Sequence, residues 1–175
     1  MGAILRPIRV KASAIAYIRT FIFGVEDSLV STVGLLSGIA IAEVPRRTIF
    51  VTGVVLLFVE ALSMAAGSFL SEHTAEDYAQ HREVSARTST IVGLIMFLSY
   101  LLAGLIPLSP YLFASVSVAL PLSITLSLIA LFGLGLIGGK LSGISMLRQA
   151  IQMALIGGSA IAVGTLAGLW SKNLL

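Results

Sequence analysis

Residues 21–42, FIFGVEDSLVSTVGLLSGIAIA, and residues 48–70, TIFVTGVVLLFVEALSMAAGSFL, decide the fold. Each is long enough to cross a hydrocarbon core, which takes about 20 predominantly apolar residues in a helix. Only Glu43-Val44-Pro45-Arg46-Arg47 separates them, a polar connection broken by proline, so the two spans form a tight antiparallel hairpin. Working outward, residues 91–109, 112–137 and 149–170 read as three further spans. Pro107 and Pro110 divide the third from the fourth, and Gly138-Gly139-Lys140 closes the fourth. The expectation is an all-α polytopic membrane protein of five transmembrane helices, a single domain over residues 1–175. Residues 1–20 mix Ile4, Leu5 and Ile8 with Arg6, Arg9 and Lys11, and read as an amphipathic lead-in at the interface. Residues 71–90 read as a short cytoplasmic loop.

Composition excludes an ordinary soluble domain. Hydrophobic residues make up 57% of the 175 and charged residues 11%, where soluble domains carry about 25% charge. The net charge of +3 does not point to nucleic acid, because the bases cluster at helix ends. Arg6, Arg9, Lys11, Arg19, Arg82, Arg87, Lys140 and Arg148 fall on one side, and Arg46, Arg47 and Lys172 on the other. Basic residues accumulate on the cytoplasmic side, so the N-terminus is expected there. Cysteine is absent, which removes disulfides and thiolate metal sites. No nucleophile or zinc motif supports an enzyme, and no permanent cofactor is implied.

Three acids fall inside the predicted spans: Glu26, Asp27 and Glu60. A charged carboxylate at mid-membrane costs about 2.5 kcal/mol or more, so such acids normally face a partner or a hydrated path. No Lys or Arg lies in any span, which leaves no salt-bridge partner. Asp27, Ser31, Gly34 and Gly38 fall within about 40° of one another on helix one, and the small residues let another helix approach closely. On helix two, Glu60 and Met64 share a face with Gly53, Gly67 and Ser71 by the same spacing. Asp27 and Met64 each sit about 9 Å into the core from the cytoplasmic end, and Glu60 about 6 Å deeper. Glu60, near the midplane, suits an exchange site that trades a proton for a cation. Carboxylate oxygen joined by thioether sulfur favours a first-row transition ion over Mg²⁺ or Ca²⁺. Beyond the hairpin, His73, Glu76, Asp77, Gln80 and His81 follow the spacing of one helical face. A solvated helical extension is the simpler reading, and a divalent-ion site the alternative.

The stretches FGVEDSLVSTVGLLSG at 23–38 and ALSMAAGSFLS at 61–71 resemble the helix-one and helix-two signatures of the vacuolar iron transporter family. Weaker similarity runs through Pro107-Leu108-Ser109-Pro110-Tyr111 and Leu147-Arg148-Gln149, so the likeness covers about residues 17–170. The resemblance implies a two-fold homodimer with an ion path at its interface, lined by helix one of each protomer. It implies export of Fe²⁺, often also Mn²⁺, from the cytosol in exchange for protons. The family's pathway Asp and Met map onto Asp27 and Met64, with Glu60 and Glu26 nearby, and Ser31, Gly34 and Gly38 become the expected dimer face. The partners implied are a second copy, divalent metal ions, protons and the lipid bilayer. The membrane would be the cell membrane in a prokaryote and a vacuolar-type membrane in a eukaryote. Larger members insert a Glu-rich helical domain between helices two and three. Here Glu72, His73, Glu76, Asp77, His81 and Glu83 are the candidate ligands at the cytoplasmic mouth. Ser68 and Ser28 stand where many members have Glu and Gly. A non-transporting membrane scaffold or assembly subunit is the alternative class.

Overall fold

The structure, a computed structural model, describes residues 2–81 and 84–174, with residues 2–12 as backbone only. The described residues form helices α1 (Gly2–Ile41), α2 (Arg46–Gln80), α3 (Arg87–Leu108), α4 (Pro110–Phe113), α5 (Val116–Ser142) and α6 (Met146–Lys172), and no strand. All but the one-turn α4 are long and apolar enough to cross a membrane, giving five spans. The protein is an all-α integral membrane protein.

Two helices overrun their expected bounds by ten residues or more, and α5 runs through Gly138-Gly139-Lys140, expected to close it, as far as Ser142. The segment read as a lead-in continues into α1 without a break, because nothing from Ile8 to Phe23 is a proline or glycine. The 35 residues of α2 extend about 52 Å, well past a core of about 30 Å. Most of the expected 71–90 loop is therefore helix, and the connection to α3 shrinks to residues 81–86. The helix stops at His81, whose φ of 50° is left-handed, a conformation that most side chains disfavour. Asp77 secures the return, accepting a hydrogen bond from the Val84 backbone N–H at 2.8 Å.

The interior is small and hydroxyl-bearing. Ser28, Thr32, Ser37, Ser99, Ser123 and Ser127 are buried, while Leu62, Leu102, Ile129, Leu155 and Val163 point outward, as expected in a lipid solvent. Hydroxyls also satisfy carbonyls around the prolines that interrupt helices. Ser123 donates to the Pro107 carbonyl at 2.7 Å, and Thr125 to that of Pro121 at 2.8 Å.

α1 packs on α2, α3, α5 and α6. Its contact with α6 gives the small residues of the expected dimer face a neighbour within the chain. Gly34 and Gly38 are buried within a single chain, facing Ala160, Gly164 and Gly168 of the parallel helix α6. A Cβ on Gly38 would lie 2.6 Å from the Gly164 carbonyl oxygen, and one on Gly164 or Gly168 would overlap the Gly34 or Gly38 carbonyl. Ser31, the third residue of that expected dimer face, shares a 2.7 Å hydrogen bond with the Tyr100 hydroxyl of α3. Small-residue spacing correctly marked a face that takes a close neighbour. The neighbour is the chain's own last helix, because α6 carries a matching small-residue repeat in parallel register.

At the end of the bundle where α1 finishes, Lys172 Nζ meets Glu43 Oε1 at 2.6 Å, and the Arg46 guanidinium donates to the Leu112 and Ala114 carbonyls at 3.5 and 3.4 Å. These clips are exposed. Lys172→Ala should lower stability by only about 0.5 kcal/mol, read as a small thermal shift in detergent.

Candidate ion path

At the opposite end, α1, α2 and α3 enclose a cleft of about 670 Å³. Its mouth is crossed by an ion pair, Arg19 of α1 to Glu72 of α2 at 3.4 Å. Its wall carries Thr20, Ser63, Ser68 and Ser71, and Met64 of α2 and Met96 of α3 contribute thioethers. The lining is polar enough for water near the mouth and softer deeper in.

The Arg19–Glu72 contact sets the register of the antiparallel hairpin. Counting inward from it, Asp27 and Met64 are each eight residues along their helices, about 12 Å deeper. Glu60 is one further turn in. Asp27 and Glu60 lie close enough for their charges to act on each other. Both also act on the Tyr100 hydroxyl, which Ser31 holds in place. Glu26 is half-buried beside Asp27 and interacts with it electrostatically. Met64 packs on the cluster that contains Tyr100, Leu57 and Ala61. The structure thus gathers Asp27, Glu60, Ser31 and Tyr100 within the spans, with Asp27 and Glu60 about one helical turn further along α1 and α2 than Phe23 and Ser63, the innermost cleft residues of those helices.

That gathering depends on close packing between α1 and α3. A Cβ on Gly24 would overlap Ser99 Oγ, and one on Gly104 would overlap Leu57 and sit 2.7 Å from Ser28 Oγ. Ser28 donates to the Tyr100 carbonyl at 2.6 Å, fixing the turn of α3 that carries the tyrosine. Sequence reading missed Tyr100 and Met96, since an aromatic or thioether inside an apolar run is usually packing. The only signal was position, because Met96 and Tyr100 are one turn apart and share a helical face.

The candidate ligands at the cytoplasmic mouth do not converge. Glu72 turns to Arg19, and Asp77 caps the Val84 N–H while lying 3.9 Å from His73. His73 stacks on Phe69 with centroids 5.8 Å apart. His81 was expected on one helical face with His73, Glu76 and Asp77. It has left the helix as the C-cap and lies edge-on to Tyr78. Glu76 is half-buried on α2, and Glu83 lies outside the described residues. Among the described residues no three His, Asp or Glu side chains come together in a set able to hold a metal ion.

A vacuolar iron transporter 1 of Tulipa gesneriana is 24% identical over 206 aligned positions, covering 83% of each chain. Those positions outnumber the 175 residues of this chain, so the tulip protein has inserted residues that this one lacks. A vacuolar iron transporter homolog 4 of Arabidopsis thaliana is 25% identical over 84% of this chain and 80% of its own length. A vacuolar iron transporter 1 of Oryza sativa is 40% identical over a shorter region of 71 residues, 40% of this chain. The sequence profile of the VIT family matches residues 18–92 and 82–169, nearly the whole membrane bundle, with its two blocks meeting at the α2–α3 connection. The chain belongs to the VIT family.

Proposed function

We propose that this chain is a divalent-metal transporter that exports Fe²⁺, with Mn²⁺ as a second cargo, from the cytosol by proton antiport. One observation carries this: Asp27 and Glu60 lie within reach of each other's charge inside the membrane-spanning helices, about one turn beyond a cleft that contains Met64, with no base in the spans. Acids held in that setting are expensive unless a cation visits them. Carboxylates with a thioether suit a first-row transition ion, and the relatives are named as iron transporters.

One chain leaves such an ion short of ligands, since no three-residue set forms among the described residues. A two-fold homodimer doubles Asp27, Glu60 and Met64 about one axis. With Gly34 and Gly38 covered by α6, the second copy is assigned to the uncovered side of α2 that adjoins Glu60 and Met64 and carries the exposed Val59, Ser63 and Gly67. Arg19 at the cleft mouth and Arg87, Lys140 and Arg148 near helix ends on the same side make that side cytoplasmic and put metal entry beside Glu72. The host membrane is vacuolar-type in a eukaryotic cell and the cell membrane in a prokaryote.

Glu60 carries the coupling: an arriving metal displaces its proton, and reprotonation from the far side releases the metal. Mn²⁺ uptake into liposomes holding the purified protein tests both levels. Wild-type protein should transport, and a total absence of flux for both ions would leave only the membrane-scaffold class. Glu60→Gln should stop flux or make it indifferent to a pH gradient. If that variant keeps the wild-type dependence on the gradient, Glu60 is structural and the proton site lies at Glu26 or Asp27.

A further inference from the structure

The acids of this chain are confined to one half. All eight lie between Glu26 and Glu83, and residues 84–175 contain none. In that acid-free half, Lys140 ends α5 and Arg148 begins α6, flanking the turn at Gly143, whose φ of 67° closes it tightly. Among the described residues no acid pairs with either base.

Arg148 also lines a groove. Its volume is about 490 Å³, walled by Ile151, Gln152, Leu155, Ile156 and Ser159 of α6. A second hollow of about 420 Å³ shares Ile151, Leu155 and Ser159 and adds Leu128 and Phe132 of α5. The two hollows lie side by side on the surface of the α5–α6 pair and share the ridge of Ile151, Leu155 and Ser159, so a lipid can straddle it. None of their lining comes from α2 or from the acid cluster. From Arg148 to Ser159 is eleven residues, about 16 Å of helix. A hydrocarbon core of about 30 Å gives each leaflet about 15 Å. The groove therefore starts at an unpaired base at headgroup level and ends near the depth where one leaflet's acyl chains end.

We infer that this groove binds one anionic phospholipid, its headgroup phosphate held by Arg148 with Lys140 alongside and an acyl chain lying against Ile151, Leu155 and Phe132. A second copy of the chain fits the surface poorly. A two-fold contact here would set Arg148 against a segment that has no acid to meet it. A zwitterionic lipid offers the same phosphate to Arg148 but brings its own cation beside Lys140, so it is held more weakly.

The test uses the full-length protein in detergent, titrated with phosphatidylglycerol or phosphatidylcholine of identical chains and read by thermal unfolding and native mass spectrometry. Phosphatidylglycerol at about a hundredfold over its dissociation constant should raise Tm by about 5 °C or more, with phosphatidylcholine giving clearly less. Arg148→Gln should erase the difference between the two lipids while keeping the phosphatidylcholine response. Leu155→Trp, which fills the groove on a lipid-facing position, should reduce retention of both. Equal effects of the two lipids on the wild type, or an undiminished preference in Arg148→Gln, overturns the inference. So does an equal shift with glycerol phosphate, which would mark a site for a free anion. A change of oligomeric mass in either variant without any lipid dependence would assign the surface to a second copy instead and likewise overturn it.

Discussion

Asp27→Asn is expected to abolish metal flux while leaving fold and assembly intact. The substitution keeps the side-chain volume and removes the charge from a residue held within reach of Glu60 and Tyr100. A neutral amide still hydrogen-bonds in the hydrated path, so the bundle should pack as before. It cannot balance a divalent ion, and the loss should exceed about a hundredfold, the scale on which an ion pair of several kcal/mol in a low-dielectric site acts. Liposome uptake of Fe²⁺ or Mn²⁺ measures the flux, and size-exclusion chromatography with light scattering checks the assembly. Wild-type flux in this variant would remove Asp27 from the path. Met64→Leu, nearly equal in volume, provides the comparison: it should weaken discrimination among ions more than it weakens transport.

The second large effect is structural. Gly164→Leu should collapse the yield of folded protein, because its Cβ alone would overlap the Gly34 carbonyl before the rest of the side chain is placed. Backbone sets this limit, so no rotamer relieves it. Overpacking of this kind costs about 3 kcal/mol or more, enough to lower Tm by about 6 °C or more in a domain this size. Gly158→Leu, at an α6 glycine whose Cβ would meet nothing, is the control and should be tolerated. If Gly164→Leu melts with the control, α6 does not sit on α1 as described. The same logic separates the two roles of the α1 glycines. Gly34→Leu should destabilise the single chain rather than simply split a dimer.

How much of this the sequence carried depends on which physical signal each feature leaves. Five spans were readable because twenty apolar residues in a row have few alternatives to a membrane helix. Their ends were less so. Hydropathy falls at Ser71, yet Glu72 to Gln80 includes no helix breaker, so α2 keeps its hydrogen bonds out into water. Asp27 and Met64 could be placed at one depth from helix rise alone, and the Arg19–Glu72 contact sets that same register. The partner of Gly34 and Gly38 was not legible. Spacing shows that a face wants a close neighbour, but Ala160, Gly164 and Gly168 lie more than a hundred residues away, and periodicity carries no information about which helices meet. Tyr100 was hidden for a different reason. Its ring belongs to the core, and only its hydroxyl, held by Ser31, reaches the acids.

The pairing of α1 with α6 also has a consequence for biogenesis. Helix one emerges from the ribosome well before helix six, with about 126 residues between Gly38 and Gly164. At a synthesis rate of about 5–20 residues per second, the glycine face of helix one waits on the order of ten seconds for its partner. During that interval its close-packing surface meets only lipid, chaperone or insertion machinery. The α1–α6 contact therefore forms only once α6 is released, and a chain truncated before Ala160 should stay open, to be recognised by quality control as an unfinished product.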